Sequence, residues 1–213
     1  MWTPGPRPAA RRRRIEARGG LRDSLKTMRI AYIGLGANLP SCVGPPEATL
    51  AAAVVRLDSL GRVTARSSLY STEPVGYAEQ PRFVNAVVAL ETELSARGLL
   101  DALMGIEREF GRSRANAIPN GPRTLGLDIL LFGDLVVSEP GMEIPHPRLA
   151  ERAFVLEPLC EIAAEVVAPR SGVKAAELLR RLSAASSDAA EAVLKMPDAI
   201  ESRSANISHG QAR

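Results

Sequence analysis

Between Arg29 and Phe132 the apolar pattern changes period in a set order, and that order leaves few folds open. Arg29-Ile30-Ala31-Tyr32-Ile33 reads as a strand, closed by a turn over Gly34-Leu35-Gly36-Ala37-Asn38-Leu39-Pro40. Pro46 to Leu60 reads as a helix, because Leu50, Val54 and Leu57 recur at helical spacing and Pro46 suits a first turn. Val63 to Ser71 and Phe83 to Leu90 read as strands. Ser95 then caps a helix whose Leu99, Leu100, Leu103, Ile106 and Phe110 share one apolar face, with Gly111 at its end. A polar loop, residues 111–124, leads to a strongly apolar strand from Leu125 to Phe132. Leu156 to Ile162 and Val173 to Leu182 are further helix candidates.

Strand, helix, strand, strand, helix, strand predicts an α+β fold with a ferredoxin-like βαββαβ core. The expected form is an antiparallel sheet with helices on one face and extra C-terminal elements. The fold serves many unrelated activities, so function has to be read from the site. The chain of 213 residues suits one domain with tails. Residues 28–182 are read as that domain, 1–27 as a disordered basic extension and 183–213 as a weakly ordered tail rich in Ala and Ser. The extension carries eight Arg or Lys against two acids, while the whole chain is only +3, so residues 28–213 sum to −3. The basic character therefore belongs to the extension and not to the folded body. Three readings of it stand side by side: an upstream extension with Met28 as the start, a mitochondrial-type presequence, or a basic arm for anionic surfaces. No apolar run has the ~18 residues of a membrane span, and the expected location is the cytoplasm. Cys42 and Cys160 lack ligand-like spacing and are read as free thiols.

Gly34-x-Gly36 follows a strand, but a dinucleotide-binding fingerprint needs a third glycine where Leu39 stands, so a tight turn is the plainer reading. No GxxxxGK[ST] segment occurs. The informative stretch is GRSRANAIPNGPRTLGLDIL, residues 111–130. Arg112, Arg114 and Arg123 lie in or beside a loop containing Gly and Pro, where guanidinium groups can close over a polyphosphate with paired hydrogen bonds. Asp128 lies inside an apolar strand, where a charge is costly unless paired or metal-bound. Strand alternation puts residues 126, 128 and 130 on one face, so Asp128 is a candidate Mg²⁺ ligand beside the arginines; a buried Asp–Arg pair is the alternative. His146 stands between Pro145 and Pro147, with Arg148 and Arg152 close behind, which suits phosphate contacts. Phe83 and Asn85 share a strand face, and an aromatic ring with an amide can stack on and hydrogen-bond a flat heterocycle. Ordinary sheet packing is the alternative there.

Six segments occur in the order and at the spacing of a known family: IGLGANL, SSLYSTEPVG, QPRFVNAVVALET, LLDALMGIEREFGRSR, GPRTLGLDILLFGD and IPHPRLAERAFVLEPL. From about Ile30 to Val167 the chain resembles the 6-hydroxymethyl-7,8-dihydropterin pyrophosphokinases. The resemblance implies transfer of a pyrophosphoryl group from ATP to the 6-hydroxymethyl oxygen of the pterin, releasing AMP, with two Mg²⁺ ions. It implies a pterin site at Thr72, Pro74, Val75, Phe83, Asn85 and Phe154, with Phe83 and Phe154 sandwiching the ring. It implies an ATP site at Glu107, Arg112, Arg114, Arg123, Ile129, His146 and Arg152, of which Arg112, Arg123, His146 and Arg152 would be the catalytic groups. It also implies that the loop over 111–121 closes on bound nucleotide. The expected partners are ATP and the pterin, with no nucleic acid, no membrane and a monomeric chain.

One departure bears on the chemistry. The family motif has the form Arg-Thr-Leu-Asp-Leu-Asp, and this chain reads Arg123-Thr124-Leu125-Gly126-Leu127-Asp128. Asp128 is left as the metal-binding carboxylate, and losing its companion is expected to slow transfer. Lesser departures are Ile118-Pro119-Asn120 where some relatives have Trp, and Met104 where some have Gln. Two rival readings remain: a binding-competent but inactive relative or metal-site variant, and a ferredoxin-like nucleic-acid-binding module. Against the latter stand the negative body and only four Phe, three Tyr and one Trp.

Overall fold

Residues 27–113, 118–185 and 193–197 are described by a computed structural model of the chain. The elements run β1 (Arg29–Ala37), α1 (Pro46–Asp58), β2 (Arg62–Arg66), β3 (Tyr70–Thr72), β4 (Phe83–Thr92), α2 (Ala96–Glu109) and β5 (Gly126–Phe132). They continue with β6 (Val137–Glu139), β7 (Met142–Ile144), α3 (Ala153–Ala163), β8 (Val167–Ala168), β9 (Val173–Lys174), α4 (Ala175–Ala185) and β10 (Leu194–Lys195). The first seven give the expected ferredoxin-like order, with the antiparallel sheet arranged β10-β3-β4-β1-β5 and β2 also pairing with β4. Among the described residues, no helix is long and apolar enough to cross a membrane. Cys42 and Cys160 are both free thiols.

Side chains alternate across each strand, and here helices pack on both faces of the sheet. Ile33 and Leu35 of β1, Val88 and Leu90 of β4 and Leu127 and Ile129 of β5 pack against Leu50 and Leu57 of α1 and Leu99 and Leu103 of α2. On the opposite face Val87, Leu130 and Leu131 meet Leu156 and Leu159 of α3 and Leu178 of α4. The two core helices thus share one face as expected, and the C-terminal additions cover part of the other. Each fully buried aliphatic side chain contributes about 1.5–3 kcal/mol. The Ser95 cap forms: Gly98 N–H donates to Ser95 Oγ at 3.1 Å.

Three segments differ from expectation. Gly34 and Gly36 do not turn; β1 runs on to Ala37, and both glycines pair with β4 and with β5. Their lack of side chains serves close approach: a Cβ on Gly36 would stand 2.8 Å from Asn85 Oδ1. Second, the strand expected over Val63–Ser71 breaks into β2 and β3. Arg66 pairs with Val88 but Tyr70 pairs with Asn85, so one strand has an extra residue, and Ser67 Oγ takes the Val87 N–H at 3.0 Å. Third, residues 194–195, placed in a weakly ordered tail, add a strand beside β3. The basic extension up to residue 26 and most of the tail lie outside the described residues.

Two carboxylates fasten this frame. Glu107, 2% exposed near the end of α2, accepts from Leu127 N–H at 2.9 Å and from Arg112 Nη1, which also donates to Leu125 O at 3.2 Å. It joins α2 to the start of β5. Glu161 of α3 accepts from Ser68 N at 2.9 Å, Ser68 Oγ at 2.7 Å, Tyr70 Oη at 2.9 Å and Lys195 Nζ at 2.9 Å. Burial opposes its ionisation, but these donors outweigh that and hold its pKa down to about 2.

Glu107→Ala strands a guanidinium and an N–H, so it should lower unfolding free energy by about 3 kcal/mol or more in urea titration; a loss well under about 1 kcal/mol contradicts this anchoring. Glu161→Gln should cost about 1–3 kcal/mol at neutral pH. The Glu161 contribution is complete above its ordinary pKa of 4.5 and is lost as pH falls toward about 2. The Gln variant should therefore lose less stability than the parent across that window, and equal losses contradict the assignment.

Candidate active site

β5 leaves the loop after α2 with its apolar residues Leu127 and Ile129 turned into the first core. Gly126, Asp128 and Leu130 therefore face the other way, as alternation predicts. The register lines up Gly126 of β5, Gly36 of β1 and Asn85 of β4 in one row across the sheet, with Asp128 and Gly34 paired in the next. Two adjacent glycines leave bare backbone at the floor of a cleft. Phe83, the neighbour of Asn85 on its face of β4, supplies one wall. The start of α3 supplies another, bringing Arg152 and Phe154 over the floor.

The result is a cavity of about 200 Å³ lined by Thr72, Val75, Phe83, Asn85, Arg123, Asp128, His146, Arg152 and Phe154. These nine residues, scattered over more than eighty positions of sequence, were all expected at the site. Arg148, Glu73 and Asn120 join them. Asn85 Nδ2 donates to Thr72 Oγ1 at 2.8 Å, which fixes the amide toward the cavity. Each aromatic ring carries a guanidinium: Arg123 Cζ lies 4.7 Å from the Phe83 centroid and Arg152 Cζ 5.5 Å from that of Phe154.

Arg123 is the centre of the arrangement. A Cβ built on Gly126 would meet Arg123 Nε at 2.9 Å and Arg112 Nη1 at 3.0 Å, so guanidinium groups fill the space a side chain at 126 would take. Among the described residues, Arg123 Nε is buried without a hydrogen-bond partner. Burial pulls the Arg123 pKa down from its ordinary value; Asp128 opposes that pull, and Arg112 and Arg152 add to it. The guanidinium stays charged all the same, given its high starting value. Its main chain is held by Asn38, whose Oδ1 accepts from Arg123 N at 2.8 Å while Asn38 N and Leu39 N donate to Arg123 O at 3.0 and 3.1 Å.

His146 is held by its own N–H to Leu130 O at 2.9 Å. Burial lowers its pKa, with Asp128 opposing and Arg152 and Arg148 reinforcing, so the ring is neutral near pH 7. Arg148 N–H donates to His146 Nδ1 at 3.1 Å, which assigns the proton of the neutral ring to Nε2.

Other expected residues lie elsewhere. The Ile129 side chain is turned by alternation into the opposite core, 6% exposed, and does not line the cleft. Glu107 is buried behind the site and is joined to it through Arg112. Arg112 opens on a neighbouring cavity of about 450 Å³ shared with Ser113, Ile118, Pro119, Asn120 and Arg123. Pro74 is half-buried and does not line the cleft. Arg114 lies outside the described residues. Sequence reasoning missed Asn38, which is buried and also donates to Gln80 Oε1 and Pro81 O, both at 3.0 Å. The available signal was a polar residue directly after an apolar strand.

Asp128 is exposed and not sealed in a buried pair with an arginine. A seat for two Mg²⁺ ions does not fit the residues present. Asp128 has only Gly126 before it on its face of β5, and the space there holds two guanidinium groups. Among the described residues, no three His, Cys, Asp or Glu side chains cluster closely enough to hold a metal ion.

Residues 32–164 match the family model described as 7,8-dihydro-6-hydroxymethylpterin-pyrophosphokinase (HPPK). A 2-amino-4-hydroxy-6-hydroxymethyldihydropteridine pyrophosphokinase of Pseudomonas aeruginosa is 45% identical over 140 residues, spanning 65% of this chain and 83% of the relative. That of Bacillus subtilis is 44% identical over 139 residues, 64% of this chain and 80% of the relative. Among solved structures, wild-type HPPK-DHPS of Plasmodium falciparum superposes with a TM-score of 0.59 at 13% identity. That match covers 75% of this chain and 46% of the other, and at such identity it speaks for the fold alone. The chain therefore belongs to the 7,8-dihydro-6-hydroxymethylpterin-pyrophosphokinase family.

Proposed function

We propose that this protein transfers pyrophosphate from ATP to 6-hydroxymethyl-7,8-dihydropterin in folate biosynthesis. The observation that carries the reading is one cleft holding both a flat, amide-lined slot and a cluster of cations. Phe83 and Phe154 offer faces to a pterin ring, and Asn85, braced by Thr72, offers an amide to its polar edge. Arg123 and Arg152 lie over those same rings, and the Nε2–H of His146 adds a neutral donor for phosphate oxygens. In the transfer, the pterin hydroxymethyl oxygen bonds to the β-phosphorus as the bond from that phosphorus to the α,β-bridging oxygen breaks. AMP leaves and the hydroxyl proton passes to solvent. Positioning and charge neutralisation carry such a step, with no covalent intermediate on the protein. Arg112 and Arg123 on the loop and Arg152 just before α3 would approach the phosphates from different sides. The setting we propose is a cytoplasmic monomer.

The same residues support slow turnover. A family member with two metal-binding aspartates distributes charge that here falls on Asp128 alone, and loss of even an outer-shell partner costs about 10–100-fold at a metal site. The nucleic-acid reading is weaker, because α3 and α4 cover the sheet face such a module needs open and the two phenylalanines stand inside a cleft.

AMP release from ATP, Mg²⁺ and 6-hydroxymethyl-7,8-dihydropterin tests this directly. Gly126→Asp should raise the rate by about tenfold or more. Equal rates would contradict the impaired-transfer reading, and no AMP from either form would contradict the assigned reaction.

A further inference from the structure

The space at Gly126 does more than lack a carboxylate, because two guanidinium groups occupy it. Arg123 Nε and Arg112 Nη1 stand 2.9 and 3.0 Å from where a Cβ would be, and Arg123 Nη2 reaches to 3.7 Å from the equivalent point on Gly36. One guanidinium thus lies along the bare row of the floor, over the ring of Phe83. A buried N–H without an acceptor costs about 1–3 kcal/mol, which an incoming anion oxygen would relieve. Arg112 differs, being already turned to Glu107 and Leu125 O. Arg152 and Arg148 line the same cleft, and Asp128 is the one carboxylate on this face of β5.

Resting on the assignment of ATP to this cleft, we infer that the protein binds ATP without a divalent cation, Arg123 supplying at Gly126 the positive charge that a metal would otherwise bring. Metal-free ATP is a polyanion, and a site with two neighbouring carboxylates repels it unless cations lie between. Here the charge at that position has the opposite sign. An aspartate at 126 would reverse the arrangement. The new side chain requires Arg123 and Arg112 to shift, and its carboxylate would then pair with both and add to the negative charge of Asp128. ATP would then need Mg²⁺ to bind.

The test is calorimetric titration of the full chain with ATP, in excess EDTA and in Mg²⁺, for the parent, Gly126→Asp and Gly126→Asn. The Asn form has the shape of Asp without its charge and separates electrostatics from crowding or misfolding. Parent and Gly126→Asn should bind ATP with Kd values within about threefold in the two buffers, whereas Gly126→Asp should weaken about tenfold or more in EDTA, about 1.4 kcal/mol. A parent that loses about tenfold or more without Mg²⁺ overturns the inference while leaving the family reaction in place. An Asn form as metal-dependent as the Asp form also overturns it, since bulk and not charge would then govern. Failure of the parent to bind ATP in either buffer overturns both this inference and the placement of the nucleotide in the cleft.

Discussion

The cleft depends on the way the Arg123 guanidinium is held between the ring of Phe83 and the uncovered backbone of Gly126 and Gly36. A charge in that position costs desolvation free energy, visible in the lowered Arg123 pKa. The ring face returns about 0.5–2 kcal/mol through its quadrupole, and Asp128 supplies a partial counter-charge. Nε still lacks an acceptor. Arg123 Nε is thus an unmet donor beside the two rings that a planar ligand would use. Ligand binding and arginine placement are coupled there, because Arg123 and Arg152 lie against the same two rings.

The strength to hold such a group comes from elsewhere in the fold. β1 pairs along nearly its whole length with β4 on one side and β5 on the other. Its two glycines would weaken an isolated strand, yet they are fixed here by neighbours on both sides. The aliphatic core against α1 and α2 and the smaller one against α3 and α4 grip the sheet from opposite faces. Glu107 ties the helical layer to the exact start of β5, so the Arg112–Arg123 loop departs from a fixed point. Asn38 ties the return of that loop to the end of β1. The frame around the cleft is thus fixed on both sides of the loop.

Much of this was legible in the sequence where a local rule governs. Period-2 alternation correctly sent Asp128 to the face of Gly126, and the Ser95 cap and the apolar stripe of α2 formed as the spacing predicts. The same alternation, applied one residue further, turns the Ile129 side chain into the opposite core. Gly34 and Gly36 misled because glycine marks turns by default, whereas here it permits close approach of Asn85 and Arg123 within a strand. That distinction depends on residues about fifty or more positions away in sequence. The break between β2 and β3, the pairing of β10 with β3, and the role of Asn38 are likewise set by distant partners. The stacking of Arg123 on Phe83 belongs to this class. The sequence places both residues near the site but carries no sign that one would lie on the other.

The direct measurement of this account is the Arg123 Nε–H resonance in a ¹⁵N-correlated NMR spectrum of the ligand-free protein, assigned by its disappearance in Arg123→Lys. The account predicts a signal slow to exchange with solvent and shifted upfield by the Phe83 ring, with the shift removed by Phe83→Leu. A resonance at the position of a free arginine, exchanging rapidly and indifferent to Phe83→Leu, would contradict it: the guanidinium would then be in solvent and the space at Gly126 open.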